Sequence, residues 1–271
     1  MRDSRNSLAT APYLIWSAGF IIIPLIMIIY YAFTGTDGSI TFENVGDIIY
    51  FVNMKALLMS IAFSLLSTTV CLLLAYPLAL VLTQVVEGNS SLMALIFILP
   101  MWMNSLLRTL AWQNILERKG VLNGILMFLG IQPLYIINKP PAIILGMVYD
   151  FLPFMVLPIY NAVSEIDKDL INAARDLGAG SFETLVRVIW PLSLPGVISG
   201  ITMVFVPSLT TFVISDILGG GKILLIGNII EQLFTQDSDW NAGAGLSVIL
   251  MIFIVISMII TAKYDREDRK P

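Results

Sequence analysis

Histidine is missing from all 271 residues, and cysteine occurs once, as Cys71. Without imidazole there is no histidine-based zinc or haem site and no Ser-His-Asp triad. One cysteine inside an apolar run excludes an intrachain disulfide and a cysteine metal cluster, and it leaves the redox compartment undetermined. Charge is scarce as well: 13% of residues are Asp, Glu, Lys or Arg, with a net charge of -4. No long Lys/Arg run supplies the clustered cations that phosphate contacts need, so a nucleic-acid partner is set aside. The phosphate-binding pattern Gly-x-x-x-x-Gly-Lys-Ser/Thr and the nucleophile elbow Gly-x-Ser-x-Gly are both absent. An intramembrane enzyme is therefore left with little chemistry, and any ATP-driven process needs a separate ATPase.

What is abundant is apolar surface. Hydrophobic residues make up 57% of the chain and its mean hydropathy is +0.87, beyond what a water-soluble fold can bury. Six stretches approach the roughly 20 apolar residues of a membrane-spanning helix. They are Ala11 to Phe33, Ala56 to Thr83, Leu92 to Leu107 with an extension past Arg108, Pro141 to Val163, Pro191 to Ser215 and Ala242 to Ala262. The first is too long for a signal-peptide core and reads as a retained helix. The expected class is all-α, a polytopic membrane protein. Residues 1–55 form an N-terminal helix with an external loop, 56–262 the main transmembrane domain, and 263–271 a tail. Prolines within or at the ends of these spans (Pro12, Pro24, Pro77, Pro100, Pro153, Pro158, Pro191, Pro195, Pro207) predict kinked or broken helices. Arg2 and Arg5 before the first span, and Lys263, Arg266, Arg269 and Lys270 after the last, put both termini in the cytoplasm by the positive-inside bias. The links Gln84 to Ser91 and Ser164 to Trp190 are then cytoplasmic too. The bias is blunted by Lys55, Arg108, Arg118, Lys119, Lys139 and Lys222 in the expected external stretches.

The segment from Ser164 to Pro191 reads as two short helices joined at a glycine turn. Asp167 caps the first, Asp169 occupies its first turn, and Gly178 stands where a left-handed terminator belongs. Leu170, Ala173, Ala174 and Leu177 share one face, while Asn172, Arg175 and Asp176 stay polar. A second helix starts near Ser181 and is expected to stop before Pro191, with Leu185, Val188 and Ile189 as its apolar stripe. By physics alone this pair is either a docking element or two helices lying along the membrane surface.

The run Asn172-Ala-Ala-Arg-Asp-Leu-Gly178, followed by Phe182, Arg187, Pro191-Leu-Ser-Leu-Pro195 and Gly196, resembles the cytoplasmic signature of permease subunits of binding-protein-dependent ABC importers. Asn172 departs from the glutamate usual there. The resemblance extends from about Ala56 to Ala262. It includes Leu99 to Thr109, Gly120-Val-Leu-Asn123, Leu152-Pro-Phe-Met155, Asp216 to Gly221 and Ile226-Gly-Asn-Ile229, which are similar to the spermidine/putrescine permease branch. It implies a coupling helix carried by Asn172, Ala173, Ala174, Asp176 and Gly178 and seated on an ATP-hydrolysing subunit, two copies of which bind ATP and Mg. It implies no cofactor in this chain itself. It further implies a second, related permease, an extracytoplasmic substrate-binding protein, a lipid environment, and a bacterial inner-membrane location.

Within the membrane, each carboxylate is a site candidate because burying it is costly. Asp150 lies among Tyr149, Phe151 and Phe154 and either meets the solute or pairs with a cation of a neighbouring helix, Arg108 among the choices. Asp216 either lines the path beside its glycine cluster or is a solvated acid. Tyr149, Trp112 and Asn104 complete the expected substrate path; Trp102, Trp112 and Trp240 flank predicted spans and read first as an aromatic belt, with solute contact the second reading. The external Asp37, Glu43, Asp47, Glu231, Asp237 and Asp239 form a hydrated rim or a cation-concentrating surface. Carboxylates with aromatic faces suit a polyammonium solute. Importers for iron, thiamine, sulfate or opines share much of this architecture, and a self-sufficient carrier is the remaining alternative.

Overall fold

The computed structural model describes residues 13, 16–35, 37–85, 99 and 101–267. Half of the expected span Leu92 to Leu107 and most of the link Gln84 to Ser91 lie outside them, as do Arg2, Arg5, Pro12, Pro100, Arg269 and Lys270. Among the described residues the secondary structure is helical, apart from an isolated antiparallel bridge between Thr34 and Ile40. We number the helices α1 Ile23–Ala32, α2 Phe51–Val85, α3 Ser105–Leu116, α4 Val121–Phe128, α5 Pro140–Ser164, α6 Lys168–Asp176, α7 Ser181–Thr184, α8 Trp190–Thr210, α9 Val213–Gly219, α10 Ile226–Thr235 and α11 Trp240–Glu267. Among the described residues four segments are long and apolar enough to cross a bilayer, namely Val52–Thr83, Pro140–Ser164, Ser181–Thr210 and Trp240–Ile259; Ala18–Ala32 is a shorter apolar helix.

Three boundaries differ from expectation. The helix that begins at Ser181 does not stop before Pro191 but continues to Thr210. Between α7 and α8 lies one π-helical stretch, Leu185–Ile189, closed by the bond from Trp190 N–H to the Leu185 carbonyl. Proline removes an amide donor, and its ring collides with the carbonyl four residues back, here that of Arg187. The π-helical stretch carries that carbonyl, and its five-residue hydrogen-bond spacing relieves the clash. The same device recurs before α1, where the π-helix Ala18–Ile22 contains Phe20, four residues before Pro24. Helices α2, α5 and α8 run through Pro77, Pro153, Pro158, Pro195 and Pro207.

The second difference is that the expected span Pro191 to Ser215 is broken at Thr211 and Phe212, so Ser215 and Asp216 belong to the separate helix α9. The third is that the expected run through Leu107 and past Arg108 is not one helix. A new helix begins at Ser105, because the Asn104 side chain accepts the Leu106 N–H at 2.8 Å and caps it.

The contacts divide the chain into two compact units. One comprises Met1–Lys55 and Ile229–Val255, the other Ala56–Asn228 and Ile256–Pro271. In the first, Asn44 directs its amide nitrogen at the carbonyls of Tyr31 (3.3 Å), Ala32 (3.2 Å) and Thr34 (3.1 Å), and Asn241 reaches Thr34 O at 2.6 Å. The orphan carbonyls at the end of α1 are thereby satisfied. Ala32, Ala244 and Val248 form the small core of this unit, bordered by Tyr31 and Phe234.

In the second unit α5 is central. Its face Met155, Val156 and Ile159 packs with Cys71, Ala75 and Ala79 of α2 and with Val197 and Val204 of α8. Gly196 and Gly200 let α8 approach closely: a Cβ on Gly196 would stand 2.6 Å from the Pro158 carbonyl oxygen, and one on Gly200 2.7 Å from Met155 Sδ. This small-xxx-small spacing is a common solution where helices pack without water. On α5 itself Gly146 receives α9, with Leu218 Cδ1 2.5 Å and Ile214 Cγ2 2.9 Å from where its Cβ would be.

Gly146→Val should therefore destabilise this unit by about 1–3 kcal/mol through overpacking, lowering the midpoint of thermal unfolding in detergent. Gly124→Ala in α4, where nothing lies within 4 Å of the added Cβ, should hold or raise it. Equal midpoints for the two variants would contradict the close α5–α9 contact.

Candidate functional site

Two constellations hold the candidate site residues, one on the helix pair after α5 and one within the second unit's apolar interior. In the first, Asp167 accepts the Asp169 N–H at 2.9 Å and caps α6. The helix ends in a double turn, with Gly178 N–H on Arg175 O at 2.9 Å and Ala179 N–H on Ala174 O at 3.0 Å, while Gly178 has φ +90. These are the two bonds of a Schellman terminator, which calls for glycine at the left-handed position. Glu183 and Arg187 pair at 2.9 Å on the exposed side of the following helix.

Asn172, Ala173, Asp176 and Gly178 are exposed and Ala174 is half-buried. Beside them Leu177 is 89% exposed, Phe182 79% and Leu170 51%. Three large apolar side chains standing open on a short, rigidly terminated helix pair form a patch of the kind that marks an interaction surface.

The second constellation brings together residues from α3 and α5. Arg108 Nη1 lies 3.4 Å from Asp150 Oδ1, and Ser105 Oγ donates to Asp150 Oδ2 at 2.8 Å. Both charged side chains are nearly buried, at 8% and 5% exposure. Asp150 is thus neutralised inside the subunit by Arg108. The separation exceeds the roughly 2.7–2.9 Å of a charge-assisted hydrogen bond, and neither Nε nor Nη1 of Arg108 has a hydrogen-bond acceptor among the described residues. One turn beyond Arg108 on α3, Trp112 meets Tyr149, the residue before Asp150, edge to face at 5.2 Å between ring centroids. Trp112 is therefore half-buried against α5, whereas Trp102 is 79% exposed.

Of the other expected path residues, Asn104 is exposed and serves as the α3 cap. Asp216 is exposed in the first turn of α9, and among the described residues its carboxylate makes no hydrogen bond or ion pair. In the first unit the Asp47 carboxyl is pushed up by burial and by the negative charges of Asp239 and Glu43. The Ser39 hydroxyl, 2.6 Å from Asp37 Oδ1, holds that exposed carboxyl below its usual range.

Asn228 was not evident from the sequence as a functional residue. It is 7% exposed and ties the break at Phe212 to the start of α10. Its signal was an amide set in an apolar stretch just after three glycines, a combination that a buried backbone irregularity requires. Ser105, the second partner of Asp150, gave no comparable signal.

The sequence matches the family described as binding-protein-dependent transport system inner membrane component over residues 8–270. Among curated relatives, the spermidine/putrescine transport system permease protein PotB of Salmonella typhimurium is 38% identical over 259 residues, covering 93% of this chain and 90% of that one. The protein of the same name from Escherichia coli is 37% identical, covering 93% and 94%. Among solved structures, a bacterial ABC transporter involved in import of the acidic polysaccharide alginate superposes with a TM-score of 0.79 at 18% identity, covering 99% of this chain and 97% of that one. An inward-facing methionine ABC transporter gives a TM-score of 0.61 at 17% identity, covering 83% and 99%.

For the buried pair, Asp150→Asn or Arg108→Gln alone should cost about 3–5 kcal/mol, since each leaves one desolvated charge unmatched. The double variant should recover part of that loss, with a coupling energy of about 0.5–3 kcal/mol. Thermal unfolding of the four proteins measures it, and strictly additive losses would show that the two side chains do not act as a pair.

Proposed function

The chain belongs to the family of inner-membrane components of binding-protein-dependent transport systems, and on that premise we propose that it forms one permease half of an importer for polyamines, spermidine and putrescine among them. It is a membrane transport component rather than an enzyme. The observation that carries the polyamine reading is its likeness, over nearly the whole chain, to permeases named for spermidine and putrescine transport.

In this reading a separate ATPase, in two copies that bind ATP and Mg, docks on the exposed face around Leu170, Ala173, Leu177 and Phe182. An extracytoplasmic binding protein delivers the solute, and a second, related permease completes the path. Both termini lie in the cytoplasm, on the same side as the α6–α7 pair. The terminator at Gly178 supports the docking role, because it holds α6 at a fixed angle to the rod that starts at Ser181.

The solute's positive charges call for acceptors that are not already neutralised. Asp150 is matched by Arg108, so the demand falls on Asp216, which stands exposed. Trp112 and Tyr149 lie beside the buried pair and add aromatic surface, worth about 0.5–2 kcal/mol for a desolvated cation on a ring.

Vesicles holding the full complex should take up labelled spermidine and putrescine only with ATP inside and binding protein outside. Asp216→Asn should reduce uptake severalfold. Gly178→Val puts a β-branched residue at a left-handed position, a conformation costing roughly 1–2 kcal/mol. It should leave delivery by the binding protein intact while ATP hydrolysis loses its link to uptake. Normal uptake in that variant would count against docking here, and uptake without ATP or partner proteins would remove the importer reading altogether.

A further inference from the structure

Helix α4 is built inside out. From Val121 to Leu129 only Asn123 is fully buried, whereas Val121, Ile125, Phe128 and Leu129 are exposed at i, i+4, i+7 and i+8, Phe128 to 90%. Ile131 and Leu134 continue the apolar surface beyond the helix. Apolar area of this extent belongs against lipid or another protein. Asn123 makes the inversion possible: its Nδ2 donates to the Glu117 carbonyl at 3.0 Å, and its Oδ1 accepts the Leu134 N–H at 2.7 Å. The end of α4 is closed by Gly130 N–H on Met127 O at 3.0 Å and Ile131 N–H on Leu126 O at 2.8 Å, with Gly130 left-handed at φ +72. Turn, helix end and returning segment thus bond one another, as backbone facing lipid requires.

Position and charge decide between the two covers. As a bilayer span, α5 puts its Pro140 end on the membrane face opposite the helix pair that leaves from Ser164. Leu122 of α4 packs in the cluster that holds Ala142 and Ile143, so α4 lies level with the first turn of α5, where hydrocarbon gives way to headgroups. The charged residues of this stretch are Glu117, Arg118, Lys119 and Lys139, three cations against one acid in a chain of net charge -4. All three cations are exposed, and they are among those that the positive-inside bias leaves unexplained. Arg118 stands over the Tyr135 ring, 5.3 Å from its centroid. Lysine is depleted in protein interfaces. At a membrane surface, by contrast, its apolar stem lies along hydrocarbon while the ammonium reaches the phosphates.

We infer that α4 and the segment returning from it to α5 form an interfacial site for an acidic phospholipid of the leaflet opposite the α6–α7 pair. Acyl chains lie on Ile125, Phe128 and Leu129, and the phosphate is held by Arg118, Lys119 and Lys139. Asn123 touches no lipid and is the positioning residue that keeps the apolar face turned outward. The site is independent of which solute the importer carries.

The test uses the complex of both permeases and the ATPase in lipid nanodiscs. Cys71 is buried, so a cysteine introduced as Phe128→Cys takes a bimane label selectively. Phospholipids brominated on their acyl chains should quench this label strongly and aqueous iodide only slightly. In competition between the two brominated lipids, phosphatidylglycerol should be preferred over phosphatidylcholine about five- to tenfold. Adding Arg118→Gln, Lys119→Gln and Lys139→Gln together should bring that ratio to about one, while quenching by brominated phosphatidylcholine stays unchanged; a lost fold would change both. If the triple variant fails to assemble, Lys139→Gln decides: it should lower the ratio severalfold and Lys139→Arg should restore it. Quenching by iodide in place of bromolipid overturns the inference by showing the face in water. Quenching by neither overturns it by showing the face covered by protein, as does shielding from lipid that appears only when the binding protein is added. Bromolipid quenching with no preference for phosphatidylglycerol, or a preference that survives the charge substitutions, overturns the assigned headgroup site.

Discussion

A backbone amide or carbonyl inside a bilayer has no water to turn to, and much of this structure follows from that constraint. Regular helix answers it for most of the chain. The informative places are where helix gives way and a side chain takes over. Asn44 closes the end of α1 in one unit, and Asn228 closes the interruption after α8 in the other. Both are asparagines: Asn44 turns its amide nitrogen on three carbonyls, whereas Asn228 uses donor and acceptor together.

Charge obeys the same economy of solvation. Arg108 and Asp150 are both nearly inaccessible, and their pairing leaves that part of the interior close to neutral. Asp216 is open and has no described counter-ion. Two acids that look alike in an apolar sequence are thus separated by their surroundings: one joins α3 to α5, and the other remains available to something outside the subunit. The separation bears on mechanism, since a path for cations needs negative charge that the protein has not already cancelled.

The helix pair after α5 was legible from sequence because its signals are local. Asp167, Asp169 and Gly178 act within one or two turns, and the cap and terminator they announce are present. The long apolar spans were legible for the similar reason that hydropathy needs no partner. The continuity through Pro191 was hidden, since a proline ordinarily ends a helix and its accommodation depends on a π-helical stretch that leaves no mark in composition. The break at Thr211 was hidden too, because its determinants are Asn228 and Gly227, about sixteen residues further along. The sequence offers Arg108 as one possible partner of Asp150, yet the choice among cations requires three-dimensional neighbours. Ser105 had no sequence signature at all.

The absorbed proline has a mechanical corollary. Ser181–Thr210 is one rod of 30 residues, about 45 Å long at the usual helical rise. Phe182 stands uncovered at one end and the Thr211 interruption lies at the other. A push delivered at the Phe182 end of such a strut arrives at its far end as displacement, so the member that carries the exposed apolar patch can shift the break at Thr211.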